Sequence, residues 1–336
     1  MSAGTGELAP RRRAGVRDVA QLAGVSPQTV SRVLNGHPSI KPETRERVQQ
    51  VLDELDYRVN NAARTLGTSS TRTIGIISGD PSLYGPGAGL VALASAARQA
   101  GRWIATAYAD SSDAASVREA AEYLLTQGID GLIVTAACQE TMQMLLGANY
   151  GVPIRALHDG EGRAAQVQAA ALAVQHLVGL GHSRIAVVSG PSLWLEALSR
   201  AEGIDGALLA EGLQPVLRLQ AEWTAASGSA LAAELAAAVA SKEGPTAVVA
   251  PNDQTALGVI SGLRDRGVRV PQDVSIVGFD DIPDAPFLVP ALTTVRVDIV
   301  GEARRCVAEI TGEFIEQAPE PPELVVRAST AAAPRA

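Results

Sequence analysis

The chain is poor in the side chains that hold metals and staple folds. It has two cysteines, four histidines and, among 28 basic residues, only the lysines Lys41 and Lys242. Cys138 and Cys306 lie far apart and match no zinc spacing, so two buried thiols in a reducing cytosol are expected rather than a disulfide framework. His37, His158, His176 and His182 show no metal-ligand pattern, and His176 and His182 read most simply as structural. No metal and no cofactor are expected. No uninterrupted apolar run reaches the ~18 residues of a membrane helix. The Arg11-Arg12-Arg13 cluster is followed by polar, helical Val16-Arg17-Asp18-Val19-Ala20-Gln21 rather than by an apolar core, so export is not expected either. Also absent are a Gly-x-x-x-x-Gly-Lys phosphate loop and a Gly-x-Ser-x-Gly elbow. An enzyme has no catalytic constellation here to rest on.

What is present is length, apolar content and an uneven charge. With 336 residues at 46% hydrophobic content, two or three domains with substantial cores are expected. The net charge of −8 argues against a protein that coats nucleic acid along its whole length. Residues 1–67, however, hold ten Arg/Lys against seven Asp/Glu, or +3, and the rest holds 18 against 29, or −11. A basic head on an acidic body suggests that only the head meets a polyanion.

Residues 1–14 read as a disordered tail. Apolar residues at 16, 19, 20 and 23 have the spacing of one helix face. Gly24 then supplies a turn, and Ser26-Pro27 is a strong start for a second helix, because Ser caps free N–H groups and Pro has none to leave unpaired. That helix, Pro27 to Leu34, turns Val30, Val33 and Leu34 inward and ends at Asn35-Gly36. A third runs from Pro42 to about Leu55 on Val48, Val51, Leu52 and Leu55. Residues 60–66 have the pattern of two helical turns, too short to stand without a partner, and the Ser/Thr-rich end of the linker, to residue 72, is extended. From Thr73 strands and Ala-rich helices alternate. The β-rich runs are 74–78, 103–108, 131–134, 153–157, 185–189, 216–219, 247–250 and 274–279. Such alternation predicts parallel sheets covered by helices, and about eight to ten strands predict two sheets of similar size. Ligands then belong at strand carboxyl ends or in the crevice between the lobes.

The head carries the most specific chemistry. From Arg17 to Asn35 the chain reads as a helix-turn-helix, with two short helices, a Gly turn and a polar outer face on the second helix. Gln28 and Arg32 lie four apart on that face, where Gln suits an adenine edge and Arg a guanine edge. Ser26, Thr29, Ser31 and Asn35 are short donors suited to phosphates, which position without specifying.

The block from Val16 to Leu66 resembles the DNA-binding head of the lactose-repressor (LacI/GalR-type) family of bacterial transcription factors. The likeness rests on Asp18-Val-Ala-x-x-Ala-Gly-Val-Ser26, Thr29-Val-Ser-Arg-Val-Leu-Asn35, Thr44-Arg-Glu-Arg-Val48, and Asp56-Tyr57 with Asn60. It implies that Pro27, Gln28 and Arg32 face bases and that Thr44, Tyr57 and Asn60 touch backbone. It also implies that residues 60–66 are a hinge helix folding on the minor groove, with Ala63 and Leu66 against it and Leu66 as a wedge that kinks DNA. Gly15 departs from the family where a Thr or Ser often caps the first helix, and Val59 replaces a frequent Pro.

From Thr73 to about Thr330 the chain is similar to the family's effector domain, through Gly179-Leu-Gly-His-Ser-Arg-Ile-Ala186, Arg200-x-x-Gly203, Pro251-Asn-Asp-Gln-Thr-Ala-Leu-Gly258 and Val277-Gly-Phe-Asp-Asp281. Such domains are two lobes that close on a small molecule, like periplasmic sugar-binding proteins. Arg200 suits a ligand oxygen, Asp280 accepts from hydroxyls and Asn252 does both. Gln254 belongs to the same string. Glu222-Trp-Thr-x-x-Ser-Gly228 resembles galactoside-responsive members; Trp223 either stacks on a pyranose face or packs beneath its loop. Leu83-Tyr-Gly-Pro86 likewise resembles their first cleft loop, which puts Gly79 and Leu83 beside the ligand. Either His158 or Asp159 takes the place of an acidic ligand-binding residue. Around Gln166-Val-Gln-Ala169 the usual Asp-Gly spacing is missing.

The domains expected are a tail over 1–14, a helix-turn-helix domain over 15–59, hinge helix and linker over 60–72, and an effector-binding and dimerisation domain over 73–330. Within the last, the N-lobe takes about 73–164 and 296–322 and the C-lobe about 165–292, with a tail over 331–336. The expected function is a cytoplasmic repressor that binds a near-palindromic DNA operator as a homodimer under sugar control. A purine or pentose effector is the nearest rival; a solute-binding protein or sugar-modifying enzyme is the rival class. Ser329–Ala336 carries no leucine heptad, so dimers rather than tetramers are expected. Charge placement makes a test: DNA affinity of the full chain falls steeply and log-linearly with salt, and a body lacking residues 1–67 has no DNA affinity. Salt-independent binding, or retention of binding by the body, contradicts it.

Overall fold

In a computed structural model, residues 14–34, 37–57, 70–314 and 317–334 are described. Asn35, Asn60, Ala63 and Leu66, with the expected hinge helix and nearly all of the N-terminal tail, lie outside these residues. The chain divides into two units, Met1–Thr71 and Arg72–Ala336.

The first unit is built on three helices, α1 (Val16–Ala23), α2 (Pro27–Leu34) and α3 (Pro42–Glu54). Gly15 has no side chain to cap α1. Asp18 supplies the other half of a capping box, its carboxylate accepting the Gly15 N–H at 2.7 Å. Gly24 closes α1 in the left-handed region, φ 64°, where a side chain would be strained. Ser26 Oγ then accepts the Thr29 N–H at 3.1 Å and caps α2. Val19, Ala20, Ala23, Val30, Val33, Val48, Val51 and Leu52 form the shared core, with Leu34, Leu55 and Tyr57 packed at its edge.

The second unit holds two sheets. The first contains β1 (Thr73–Ser78), β2 (Trp103–Tyr108), β3 (Gly131–Val134) and β4 (Ile154–Ala156), all parallel, in the order β2-β1-β3-β4. The second has the order β10-β9-β8-β7-β5-β6, from β5 (Ile185–Ser189), β6 (Leu217–Gln220), β7 (Ala247–Val249), β8 (Ser275–Phe279), β9 (Thr293–Arg296) and β10 (Glu323–Val325). It is parallel except where β10 runs against β9. Every β-rich run read from the sequence is a strand. The sheets are not of similar size, four strands against six, because β9 and β10 extend the second. Both are short and follow prolines, Pro290 for one and Pro321-Pro322 for the other, so no alternating pattern announces them.

Helices cover both sheets: α4 (Tyr84–Gln99), α5 (Ala114–Thr126) and α6 (Gln139–Gly147) on the first, α7 (Glu161–Gly179), α8 (Leu195–Ala210), α9 (Ala225–Ala230), α10 (Ala232–Val239) and α11 (Asp253–Arg264) on the second. α12 (Ile299–Thr311) returns to the first lobe and packs on α4, β3 and β4. The chain therefore crosses between lobes three times: after β4, after β9 and before β10. Arg305 on α12 pins the first crossing, donating to the carbonyl oxygens of Leu157 (3.4 Å) and Asp159 (2.9 Å) while paired with Glu302 at 2.9 Å.

Strand order reverses between β1 and β3 in one sheet and between β5 and β7 in the other. The crevices where parallel sheets take ligands lie outside the carboxyl ends of those strands. Two glycines bring α9 and α11 into backbone contact beside the second crevice: a Cβ at Gly228 would stand 2.2 Å from Thr255 O, and one at Gly258 1.8 Å from Ala225 O. Gly258→Ala forces the helices apart and is expected to cost about 1–3 kcal/mol, read as a lower urea midpoint. An unchanged midpoint refutes the close packing.

Candidate functional site

A cavity lies between the two lobes, the position where two-lobed α/β proteins take small molecules. The first lobe contributes Leu83, Gly85 and Pro86 from the start of α4, Thr135 after β3 and His158 after β4. The second contributes Trp194, Glu196 and Arg200 from the start of α8, with Trp223, Asn252 and Asp280 from loops after β6, β7 and β8. Val297 and Ile299 close it at the second crossing.

Arg200 holds this floor together. Its Nε donates to Gln166 Oε1 (2.9 Å), Nη1 to Pro251 O (2.5 Å) and Nη2 to Asp280 Oδ1 (3.1 Å). The guanidinium also lies over the Phe279 ring, 3.7 Å from its centroid, and 5.4 Å from that of Trp223. Asn252 caps α11, accepting the Thr255 N–H at 2.8 Å, and its Nδ2 donates to Trp223 O at 3.0 Å. The Asp280 loop turns through two left-handed residues, Asp280 (φ 105°) and Asp281 (φ 52°). Clamps hold that strain: Asp281 accepts from Arg296 (2.6 Å) and Arg327 (2.7 Å). Asp253, wholly buried, accepts Thr294 Oγ1–H (2.6 Å) and the Ile282 N–H (2.9 Å). Burial, and then the nearby Asp280, push the Asp253 carboxyl up to about 8.

Two bridges link the lobes across the cavity. Gln254 Oε1 accepts the Tyr84 N–H at 3.0 Å, in the first turn of α4. On the other side Cys138 and Trp194 form an antiparallel bridge, with Gln139 N–H to Leu193 O (3.1 Å) and Leu195 N–H to Ala137 O (2.9 Å). Three buried polar atoms of cavity-lining residues have no hydrogen-bond partner among the described residues: His158 Nδ1, Glu196 Oε2 and Trp223 Nε1. Burial, then the Arg200 and Arg305 cations, push His158 down to about 3, so the ring is neutral and offers one donor and one acceptor. A donor, an acceptor-donor and a carboxyl converging on two indoles that meet edge to face at 5.7 Å suit a polar molecule with an apolar side. Unpaired buried groups are costly, and here all three belong to side chains that line the cavity.

Of the residues expected at the ligand, Leu83, His158, Arg200, Trp223, Asn252 and Asp280 line this cavity. Three do not. Asp159 is exposed, its carboxylate turned back on the Gly160 N–H at 2.7 Å, so the choice left open between 158 and 159 falls to the histidine. Gly79 borders a neighbouring pocket at the mouth and leaves room for Ala136, Ser111 and Trp194. Gln254 is spent on the bridge to α4. Trp223 is both buried and cavity-lining, and a Cβ at Gly190 would press into its ring at 2.5 Å. Sequence reasoning missed Glu196, Trp194 and Thr135. For Glu196 the only signal is an acid in the first turn of a helix, which ordinarily marks the helix dipole.

On the first unit Ser26, Pro27, Gln28 and Arg32 are exposed, while Thr29, Ser31, Thr44 and Tyr57 are half-buried. The Ser26 and Thr29 hydroxyls pair at 2.9 Å, which leaves one of the two to donate outward. Elsewhere His176 and His182 tie the C-terminal segment, through Thr330 (3.0 Å) and Ala331 O (3.0 Å), and burial pushes the Cys138 and Cys306 thiols up to about 12. Among the described residues there is no group of three or more His, Cys, Asp or Glu placed to hold a metal ion, and no helix long and apolar enough to cross a membrane.

Residues 15–60 match the family of bacterial regulatory proteins, lacI family, and residues 174–335 match a periplasmic binding protein-like domain. The lactose operon repressor of Escherichia coli (strain K12) is 33% identical over 298 residues, 84% of this chain and 79% of that protein. The HTH-type transcriptional regulator MalR of Streptomyces coelicolor is 36% identical, covering 94% of this chain and 96% of its own. A crystal structure of the lac repressor dimer bound to operator and the anti-inducer ONPF matches with a TM-score of 0.76 at 30% identity, over 96% of this chain and 100% of that one. A complex of the transcriptional regulator CelR with cellobiose matches at 0.63 and 28%, over 94% and 100%.

The buried Arg200–Asp280 pair makes its own test. Arg200→Ala strands the Asp280 carboxylate and two carbonyl acceptors, at an expected cost of about 3–5 kcal/mol in urea unfolding. Adding Asp280→Asn recovers part of that loss. Strict additivity of the two changes shows that the pair does not act as a unit.

Proposed function

This chain belongs to the lacI family of bacterial regulatory proteins, DNA-binding transcriptional regulators and not enzymes, and from that premise we propose that it is a repressor whose operator binding is governed by a small sugar held between its lobes. The observation that carries the sugar reading is the cavity itself, where His158 Nδ1, Glu196 Oε2 and Trp223 Nε1 are buried and unpartnered beside two indoles. Hydroxyl groups answer such atoms, and a sugar ring has both hydroxyls and an apolar face. A galactoside-like ligand is the best candidate, supported by the segment from Glu222 to Gly228. Its Gly228 also has a packing reason, the contact with Thr255 O.

On the head, Pro27, Gln28 and Arg32 read bases, while Ser26, Thr29, Ser31, Asn35, Thr44, Tyr57 and Asn60 position the backbone. Ala63 and Leu66 enter the minor groove. What supports this is the exposed polar face of α2, where Gln28 and Arg32 are spent on neither the Ser26 cap nor the left-handed Gly24 turn. Two heads on a homodimer read the halves of a near-palindrome, since a two-fold protein imposes that symmetry. The lobes give the control. A ligand shifts an equilibrium only by binding one state better than another. The Gln254–Tyr84 bridge and the Cys138–Trp194 bridge join the two lobes beside the cavity.

Trp194 and Trp223 line the cavity, so intrinsic fluorescence reports occupancy. Titration with galactosides, other sugars, pentoses and purines is expected to move the emission with a galactoside, and the same compound is expected to release operator DNA in a gel shift. Tightened operator binding overturns induction. Heat-free calorimetry with every galactoside, alongside binding of a purine or pentose, overturns the galactoside.

A further inference from the structure

We propose that Glu196 is the residue by which this cleft discriminates among sugars, accepting one particular effector hydroxyl that a deoxygenated analogue lacks. This rests on the sugar reading above and adds to it a residue that neither motif nor spacing marked out. Of the two acids lining the cavity, Asp280 is committed to Arg200 at 3.1 Å. Glu196 has no ion pair among the described residues. One side of its carboxyl group is engaged by its own main-chain N–H in the first turn of α8, and Oε2 is buried without a partner among the described residues, on a side chain that lines the cavity. The residue is only 8% exposed, so water does not replace the missing donor freely. A buried carboxyl left unpaired is destabilising in the empty protein, and a ligand donor at that point removes the penalty.

The groups around Glu196 do not remove it. Arg200, one turn further along α8, has its nitrogens on Gln166, Pro251 and Asp280. Asp280 carries the same sign, and the Cys138 thiol at the start of α6 is itself held protonated. His158 across the cavity is neutral. Burial accordingly pushes Glu196 up to about 7, against an ordinary value of 4.5. The folded chain keeps a proton that the unfolded chain releases. Stability is therefore highest below the unfolded value and falls as pH rises toward 7.

Two measurements decide it. In the first, wild type, Glu196→Gln and Glu196→Ala are titrated by calorimetry with hexoses, their methyl glycosides and the matching mono-deoxy sugars. At pH 8, where the Glu196 carboxyl is ionised, loss of a hydrogen bond to it corresponds to about 10–100-fold in affinity. Wild type is expected to lose that factor for one deoxy analogue of its preferred sugar. In Glu196→Ala the parent sugar falls by the same factor, and the gap between parent and analogue closes. Equal losses for parent and every deoxy form, or unchanged affinities, overturn the assignment. The second uses no ligand: Glu196→Gln keeps the shape and removes the charge. Its melting temperature is expected to exceed that of wild type, by a margin that widens from pH 5 to pH 8. If wild type binds no sugar the sugar reading fails, and the melting curves still judge Glu196. A margin that stays flat, or a less stable Glu196→Gln at pH 8, overturns its role as an unpaired carboxyl.

Discussion

The cleft depends on one guanidinium. Arg200 joins α8 to α7 through Gln166, to the end of β7 through Pro251 and to the end of β8 through Asp280, with Phe279 beneath it. An arginine does this better than a lysine, because its planar fork serves several acceptors at fixed angles and keeps its charge when buried. With Arg200 in place, Asp280 stays in its left-handed turn, and Trp223 has a cation 5.4 Å from its ring to lie against. The second lobe's half of the cavity is thus one connected piece rather than a set of independent loops. The first lobe's half is simpler: the start of α4, a threonine and a histidine behind which Arg305 grips the chain.

That division explains the character of the site. Polar groups that stabilise the fold are saturated: Asp253, Asn252, Asp281 and Arg305 have partners on more than one element. Of the five buried side-chain atoms without a partner among the described residues, three belong to side chains that line the cavity. A protein tolerates such unpaired groups where function needs them, at some cost in stability. The head shows the same separation on a smaller scale. Its turn and caps are made by Gly24, Asp18 and Ser26, so Gln28 and Arg32 are left to solvent.

Much of this was legible beforehand, for physical reasons. Buried parallel strands such as Ile74–Ser78 and Ser275–Phe279 are near-continuous apolar runs that announce themselves. Strings such as Pro251–Gly258 located Asn252, and Val277–Asp281 located Asp280. Thr293–Arg296 and Glu323–Val325 gave no such signal, since each is a short segment behind prolines. Adjacent loop residues such as His158 and Asp159 differ only in which way the backbone turns, which no pattern encodes. Gln254 was grouped with the ligand because it lies two residues beyond Asn252, yet a glutamine is long enough to reach the amide of Tyr84 in the other lobe. Glu196 was hidden because its meaning comes from Arg200 being fully occupied, a fact of three dimensions.

The three crossings have a bearing on biogenesis. The first lobe lacks α12 until residues 299–311 exist, and the second lobe lacks β9 and β10 until the chain has gone out to α12 and come back. The last segment then closes over the second sheet, with Ser329 O accepting from Ile276 N–H and Ala333 N–H donating to Leu180 O. A nascent chain released from the ribosome before α12 has neither lobe complete, and one released between α12 and β10 still lacks the last strand of the second. Both lobes are thus completed only near the end of synthesis, although the first begins at its start.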